Sequence, residues 1–160
     1  MSPTITPNLW FDTRAEEAAE FYVSVFGGRI RTVARYPEGA PGPAGSVMTV
    51  DFEIAGQRFV GLNGGPQFTF DEAVSFIVTC RDQAEVDHYW ERLTDGGQES
   101  MCGWLKDRFG LSWQVVPDGM DEVFADPDPE RVERAMQAMM SMRKLDIDAL
   151  RAAADGVPAT

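Results

Sequence analysis

The sequence predicts an α+β protein built from two successive βαβββ modules, and three observations support this fold class. A strand, a helix and three strands follow one another in the first half of the chain, and the same order returns in the second half. A glycine pair ends each predicted helix, at Gly27–Gly28 and Gly96–Gly97, as is typical of helix C-termini. The segment Gly64–Pro66 reads as a linker between the halves. Such a repeat predicts two equivalent units, each leaving one sheet face for the other to cover.

The first module begins with an alternating apolar and polar stretch, which is typical of a strand. Thr13 and Glu16 have the spacing of a capping box and predict the start of a helix. Ala55–Gly56 predicts a hairpin between the last two strands. The Pro- and Gly-rich segment 37–45 is expected to be a mobile loop. The predicted strands span residues 5–11, 29–36, 46–54 and 57–63.

The second module repeats these signals at matching positions. A strand is predicted at 73–80, and three short strands fit between Gln98 and Pro117. Asp82 has the capping position that Thr13 has in the first module, and Gly110 matches the hairpin residue Gly56. The predicted buried stripe of this helix consists of Val86, Tyr89 and Leu93.

A helical tail follows the repeat. Asp128–Pro129 predicts a helix start, and Asp146 predicts the start of a last short helix through Leu150. The acidic segment from Asp118 to Glu130 is expected to be a solvated face. The predicted apolar stripe of the tail is Val132, Met136, Met139 and Met142. We expect a single domain over 1–160, with a first module at 1–64, a second at 65–124 and the helical tail at 125–160.

The net charge of -12 among 160 residues excludes several classes of partner. Nucleic acid is disfavoured because phosphates are neutralised by Lys and Arg, and an anionic membrane surface is disfavoured for the same reason. No basic segment precedes an apolar run at the N-terminus, and no stretch approaches ~18 apolar residues, so neither a signal peptide nor a membrane span is expected. Two cysteines without CxxC spacing predict a reduced, cytoplasmic protein.

Four stretches resemble the PhnB-like group of the vicinal oxygen chelate superfamily, which includes glyoxalase, extradiol dioxygenases and bleomycin-resistance proteins. They are ITPNLWFD…EEAAEFYVSVFGG, FVGLNGGPQFTFDEAVSFIVTC, CGWLKDRFGLSWQVVP and RAMQAMMSMRKLDIDAL. The resemblance implies that the paired modules curl into a glyoxalase-like cup, and it implies a homodimer. Proteins of this group often carry a demethylubiquinone methyltransferase label. The chain has no Gly-rich turn between a strand and a helix, however, and so lacks the pattern of a nucleotide-type site.

The resemblance also implies four metal-ligand positions, one on the first and one on the last strand of each module. They fall at Thr6, Val60, Ser75 and Gln114. These are poor ligands for transition metals, which prefer imidazole, thiolate or carboxylate. His88 is expected on a helix surface. We therefore expect no cofactor and no catalytic metal, with a bound divalent metal as the alternative.

A small-molecule pocket is the main functional prediction. Its expected lining is the face that the superfamily curls into a cup: Asn8, Trp10, Ser75, Ile77, Thr79, Ser112 and Gln114. The alternative is that side chains fill this face. Cys102 is expected to be a small buried hydrophobe rather than a nucleophile. Lys106 and Asp107 are expected to form an ion pair at a turn.

The preferred function is therefore a PhnB-like protein that binds a small organic molecule in the cup. The first alternative is a metal-dependent lyase or dioxygenase in which Gln114 and water complete the ligand set. The second is a structural or interaction protein with a filled cup. The sequence leaves open which molecule is bound and whether any reaction is catalysed.

Overall fold

The computed structural model of the protein describes residues 3–157. Its strands are β1 (Asn8–Phe11), β2 (Gly28–Arg35), β3 (Val47–Ile54), β4 (Gln57–Asn63), β5 (Ser75–Cys80), β6 (Gln98–Glu99), β7 (Trp104–Lys106) and β8 (Ser112–Pro117). Its helices are α1 (Ala15–Phe26), α2 (Gln83–Thr94), α3 (Met120–Phe124), α4 (Pro129–Met140) and α5 (Ile147–Ala154). The chain divides into two compact units, one up to Phe70 and one from Asp71. Each unit has the predicted βαβββ order, so the α+β fold class is confirmed.

The first unit contains a mixed four-stranded sheet in the order β1-β4-β3-β2. β1 runs parallel to β4, and the other neighbours are antiparallel. One face is apolar because β3 alternates, and its Val50 and Phe52 are fully buried. α1 packs on that face, where the rings of Tyr22 and Phe52 stack at 6.2 Å between centroids. The opposite face carries Asn8 and Trp10.

Helix α1 is not capped as the sequence predicted. The cap position is Arg14, whose side chain makes no capping hydrogen bond. Instead, Asn63 at the end of β4 accepts a hydrogen bond from the Ala15 N–H at 2.8 Å through its Oδ1 atom. The Thr13 capping box is therefore wrong, because a residue that is distant in sequence satisfies the free amide at the helix start.

The loop between β2 and β3 is tied to the fold through Tyr36. The Tyr36 N–H donates to the Ser46 carbonyl at 2.9 Å, and the Gly45 N–H donates to the Tyr36 carbonyl at 2.8 Å. The Tyr36 hydroxyl also donates to the Asn63 carbonyl at 2.6 Å. A Cβ at Gly42 would lie 2.4 Å from the Tyr36 ring, so only glycine permits this close packing. The mobility of the segment stays a prediction.

The second unit repeats the topology in the order β5-β8-β7-β6, and the three strands after its helix are shorter than their counterparts in the first unit. Asp82 caps α2 as predicted, and its Oδ1 atom accepts a hydrogen bond from the Glu85 N–H at 2.9 Å. One of the three residues predicted for the buried side of α2 is wrong. Trp90, rather than the half-buried Tyr89, joins Val86 and Leu93 in the core.

The predicted turn ion pair between Lys106 and Asp107 is also wrong. Asp107 is only 3% exposed. Its Oδ1 atom accepts hydrogen bonds from the Phe109 N–H at 2.8 Å and the Leu111 N–H at 3.1 Å. Its Oδ2 atom accepts one from the Trp113 indole at 2.8 Å. The carboxylate thus organises the β7–β8 turn from inside, because buried carboxylates need several donors.

The tail forms three helices with a small apolar core of their own. Asp128 and Asp146 cap α4 and α5 as predicted, and α5 continues beyond the predicted end to Ala154. The predicted stripe is only partly buried. Val132, Met139 and Met142 are half-buried, whereas Met136 is 41% exposed and the fully buried residue of α4 is Ala135. The short helix α3 lies in the segment that was expected to be a solvated face. The buried members of the tail core are Val123, Ala135, Ile147 and Ala154. No helix in the described part of the chain is long and apolar enough to cross a membrane.

Candidate functional site

The sheet of the second unit has one face that its helix α2 does not cover. The strand register puts five of the predicted side-chain positions there. Ser75 lies opposite Ser112, and Ile77 lies opposite Gln114, across the parallel β5–β8 pair. On the other side of β8, Trp104 of β7 lies opposite Gln114. Successive side chains of a strand point to opposite sides of the sheet, so alternate residues of β5, β7 and β8 form this open face.

A cavity of about 470 Å³ lies on this open face. Its floor includes Ile77, Thr79 and Gln114, three of the residues predicted from the sequence. Trp104 and Cys102 contribute a further wall. Ile77 is 62% exposed on the edge strand β5, so this face presents a large apolar side chain to solvent. The volume falls in the range of ordinary small-molecule pockets, roughly 300–1,000 Å³.

The polar centre of this face is a hydrogen bond between two predicted residues. The Nε2 atom of Gln114 donates to the Ser75 Oγ atom at 2.9 Å. An amide has a second N–H and a carbonyl oxygen, so Gln114 keeps one donor and its acceptor for another group. Ser75 thereby orients the Gln114 amide toward the open face.

Ser112 belongs to a neighbouring cavity of about 430 Å³, which Cys102 and Trp104 also line. The Ser112 side chain is fully buried, and its hydroxyl donates to the Asp71 carbonyl at 3.3 Å. Lys106 lines the same cavity and pairs with Glu72, with 2.6 Å between Nζ and Oε1. The hydrogen bond from Lys106 lowers the pKa of Glu72. Lys106, which the sequence predicts to pair with Asp107, therefore pairs with Glu72.

Asn8 and Trp10 lie in the first unit, on the open face of its sheet. The Trp10 indole donates to the Gly65 carbonyl at 2.8 Å, and its ring meets Phe68 edge-on at 5.0 Å. A Cβ at Gly64 would lie 2.3 Å from the Trp10 ring, so the glycine allows the chain to cross the indole face. Asn8 is exposed. Within its own unit, Trp10 holds the segment that follows β4.

The residues at the family's metal positions do not fit a transition metal. In the first unit, Val60 offers no ligand atom, and Thr6 offers only a hydroxyl. In the second unit, Ser75 offers only a hydroxyl and Gln114 only an amide, whereas transition metals prefer imidazole, thiolate or carboxylate. No group of three His, Cys, Asp or Glu side chains within residues 3–157 is placed to hold a metal ion. His88 is exposed on α2, where its ring contacts Tyr89 at 5.1 Å.

The two cysteines occupy different environments in the second unit. Cys80 is fully buried, and burial together with Glu85 and Asp82 raises the pKa of its thiol to about 11. This environment gives Cys80 a structural role. Cys102 is half-buried with a positive φ of 57°, and its thiol donates to the Met139 carbonyl at 3.5 Å. It lies between the two cavities rather than in the core.

Sequence reasoning missed Trp104 and the contribution of the tail. Trp104 is two residues from Lys106 on a strand, and the pairing of β7 with β8 could have placed it beside Gln114. The tail residues carried no such signal, because a helix that follows the repeat can pack in many places. Those that line the cavity include Met120, Asp121, Met139 and Leu145.

Comparison with known proteins places the fold in a family. A family model described as 3-demethylubiquinone-9 3-methyltransferase matches residues 3–116. A PhnB protein from Bacillus cereus, described as a 3-demethylubiquinone-9 3-methyltransferase, is 35% identical, with 72% of this chain and 99% of that chain covered and a TM-score of 0.66. No curated protein matches the chain significantly.

More distant structures share the fold alone. A protein from Pseudomonas aeruginosa is 22% identical, with 72% of this chain and 98% of that chain covered and a TM-score of 0.60. The fosfomycin resistance protein FosX from Listeria monocytogenes, solved with Mn(II) and sulfate, is 14% identical, with 78% of this chain and 97% of that chain covered and a TM-score of 0.53. The chain therefore belongs to the PhnB-like family described as 3-demethylubiquinone-9 3-methyltransferase, which has a glyoxalase-like fold.

Proposed function

We propose that the protein binds a small organic molecule on the open face of the second sheet. The observation that carries this proposal is the cavity of about 470 Å³ into which Ile77, Thr79 and Gln114 converge from two paired strands. Apolar walls with a few oriented polar groups are what small-molecule pockets use. Trp104 supplies a broad apolar surface, and the Gln114 amide, held by Ser75, supplies a directional hydrogen-bonding group.

The proposal is a binding activity rather than methyl transfer. Each sheet within residues 3–157 has one parallel pair of strands, β1–β4 in the first and β5–β8 in the second. A doubly wound nucleotide-type site needs a largely parallel sheet with a Gly-rich turn after its first strand. The sheets of the described residues are mixed, and the sequence has no Gly-rich turn between a strand and a helix. We therefore propose no methyltransferase chemistry for this chain.

Binding can be tested by isothermal titration calorimetry of the full chain with 2-naphthalenemethanol, an uncharged aromatic alcohol. We expect saturable binding that Trp104→Ala weakens, because the indole forms one wall. Gln114→Leu should remove the polar contact and leave folding intact, as checked by urea unfolding. Asn8→Leu, on the first sheet, serves as the control. A Gln114→Leu variant that loses several kcal/mol of stability would instead place Gln114 in a buried network. If 2-naphthalenemethanol does not bind the wild-type protein, the proposal is wrong.

Metal content separates this proposal from a metal-dependent lyase or dioxygenase. The distant FosX structure contains Mn(II), but the metal positions that the superfamily resemblance implies in this chain hold poor donors, namely Thr6, Val60, Ser75 and Gln114. We expect protein purified without chelator to contain no stoichiometric transition metal. A content of about one metal ion per chain would favour the metal-dependent alternative.

The homodimer stays a prediction, and the tail offers the place to test it. Met136 and Met140 are 41% and 60% exposed and lie one turn apart on α4, so this helix presents two large apolar side chains to solvent. We expect the full chain to scatter light as a dimer at micromolar concentration, and Met140→Glu to shift it toward the monomer. Glu133→Gln on the same helix is the control. A monomeric wild-type chain would contradict the prediction.

A further inference from the structure

We propose that the segment after residue 116 selects the ligand of the second-unit cavity, and that this ligand is an uncharged or cationic amphipathic molecule rather than an anion. The inference rests on the proposed binding function and deepens it. Three observations support it. Residues after 116 form part of the cavity wall, hydrogen bonds attach this segment to the rest of the unit, and its side chains bring two carboxylates to the cavity.

The wall comes from residues outside the matched part of the family. The match to the family model covers residues 3–116, and 99% of the Bacillus cereus relative is covered by only 72% of this chain. Beyond residue 116, the cavity is lined by side chains from the turn after β8, from α3, from α4 and from the segment before α5. They include Asp118, Asp121, Met139 and Leu145.

Two backbone hydrogen bonds fasten this wall to the sheet. The Cys102 N–H donates to the Met142 carbonyl at 2.8 Å, and the Gly103 N–H donates to the Arg143 carbonyl at 2.7 Å. A Cβ at Gly103 would lie 2.8 Å from the Val115 carbonyl oxygen and 2.9 Å from the Leu145 Cδ1 atom. The tail thus approaches β7 and β8 so closely that only glycine fits between them.

Helix α2 holds the same segment from a second direction. Gln83 donates through Nε2 to the Leu145 carbonyl at 3.0 Å, and its Oε1 atom accepts from the Ile147 N–H at 3.3 Å. The Leu145 side chain is 1% exposed, so its contribution to the wall is part of the packed interior. A wall held by both the sheet and α2 is formed before a ligand arrives, and it can discriminate by shape.

The chemistry of the wall indicates the ligand class. Ile77, Trp104 and Met139 present apolar surface, which favours a molecule with an apolar body. Asp118 and Asp121 add two carboxylates to the same cavity. Residues 71–160 carry nineteen acidic and nine basic side chains, whereas residues 1–70 carry seven and five. The local potential is therefore negative, which repels anions and attracts cations.

Three probes of equal shape and different charge test the inference on the full-length protein. They are 2-naphthalenemethanol, 2-naphthylmethylammonium and 2-naphthoate, each titrated by calorimetry at pH 7. We expect the alcohol and the ammonium to bind, and the carboxylate to bind at least about tenfold more weakly, because like charges repel in a confined site. Equal affinity for all three would overturn the proposed ligand class while leaving the binding function intact.

Matched variants test the role of the tail. Met139→Ala should weaken the alcohol and the ammonium alike by about threefold to tenfold through lost apolar contact. Met136→Ala, on the exposed side of the same helix, should leave both affinities unchanged. Asp121→Asn should reduce the preference for the ammonium over the alcohol, whereas Glu91→Gln on α2 should not. Urea unfolding of each variant checks that the fold is intact.

The outcomes distinguish the binding function from the selecting role of the tail. If Trp104→Ala abolishes binding but Met139→Ala and Asp121→Asn behave as wild type, the pocket stands and the selecting role of the tail is wrong. If no probe binds the wild-type protein, the proposed function fails together with this inference.

Discussion

The two units use one topology for different purposes, and equivalent positions show how. Asn8 lies opposite Val60 in the first unit, and Ile77 lies opposite Gln114 in the second. Asn8 is therefore equivalent to Ile77, and Val60 is equivalent to Gln114. On the neighbouring strand, Asp51 lies opposite Val60 in the first unit, where Trp104 lies opposite Gln114 in the second. The same place on the open face thus holds a carboxylate in one unit and an indole in the other.

Asp51 and Trp104 make the open faces of the two sheets chemically different. The guanidinium of Arg58 donates to both carboxylate oxygens of Asp51, from Nε to Oδ1 at 2.9 Å and from Nη2 to Oδ2 at 2.5 Å. This fork occupies the middle of the first sheet. In the second unit, Trp104 and Gln114 leave a cavity at the corresponding place. Topology determines which positions share a face, and the residue types decide whether that face is filled or available for a ligand.

The largest expected effect distinguishes a buried carboxylate from a surface one. Asp107→Asn should destabilise the protein by about 2–4 kcal/mol, because an amide N–H would face the Trp113 indole donor. Asp51→Asn, in the first unit, should cost clearly less because water can replace its partner. Urea unfolding followed by circular dichroism measures both. Equal losses for the two variants would show that the Asp107 network contributes no more than an exposed pair.

A smaller effect distinguishes two ways to start a helix. Asn63→Ala removes the cap that reaches α1 from β4, and Asp82→Ala removes the local cap of α2. Each should cost about 1 kcal/mol in the free energy of unfolding. Thr13→Ala should stay within about 0.5 kcal/mol, because its hydroxyl does not cap the helix. A loss at Thr13 as large as that at Asn63 would restore the capping box predicted from the sequence.

The smallest expected effect is the pH dependence of the first unit's ion pair. Hydrogen bonds from Arg58 lower the pKa of Asp51 in the folded protein. Stability from a lowered carboxyl pKa is present above the unfolded value, about 3.9, and is lost as the pH falls through the folded value. Arg58→Ala should therefore be less stable than wild type at pH 7, with the difference shrinking toward pH 3. A difference that stays constant over this range would mean that Arg58 acts through packing rather than through the Asp51 charge.

The local signals in the sequence were sufficient for most of the architecture. The cap at Asp82, the glycine stop at Gly27 and the hairpin at Ala55–Gly56 all depend on backbone preferences within a few residues. Strand alternation then assigned Ser75, Ile77 and Gln114 to one face. These predictions succeeded because the period of a strand and the geometry of a turn are properties of the local chain.

The tertiary structure alone decided the partners of several side chains. Asn63 caps α1 from 48 residues away, and Asp107 points inward to three donors instead of outward to Lys106. The tail buries Ala135 rather than its methionines and supplies one wall of the cavity. Sequence reasoning could not reach these contacts, because they depend on where distant segments meet once the sheets have formed. The βαβββ repeat was therefore determined locally, whereas the cavity was determined by packing.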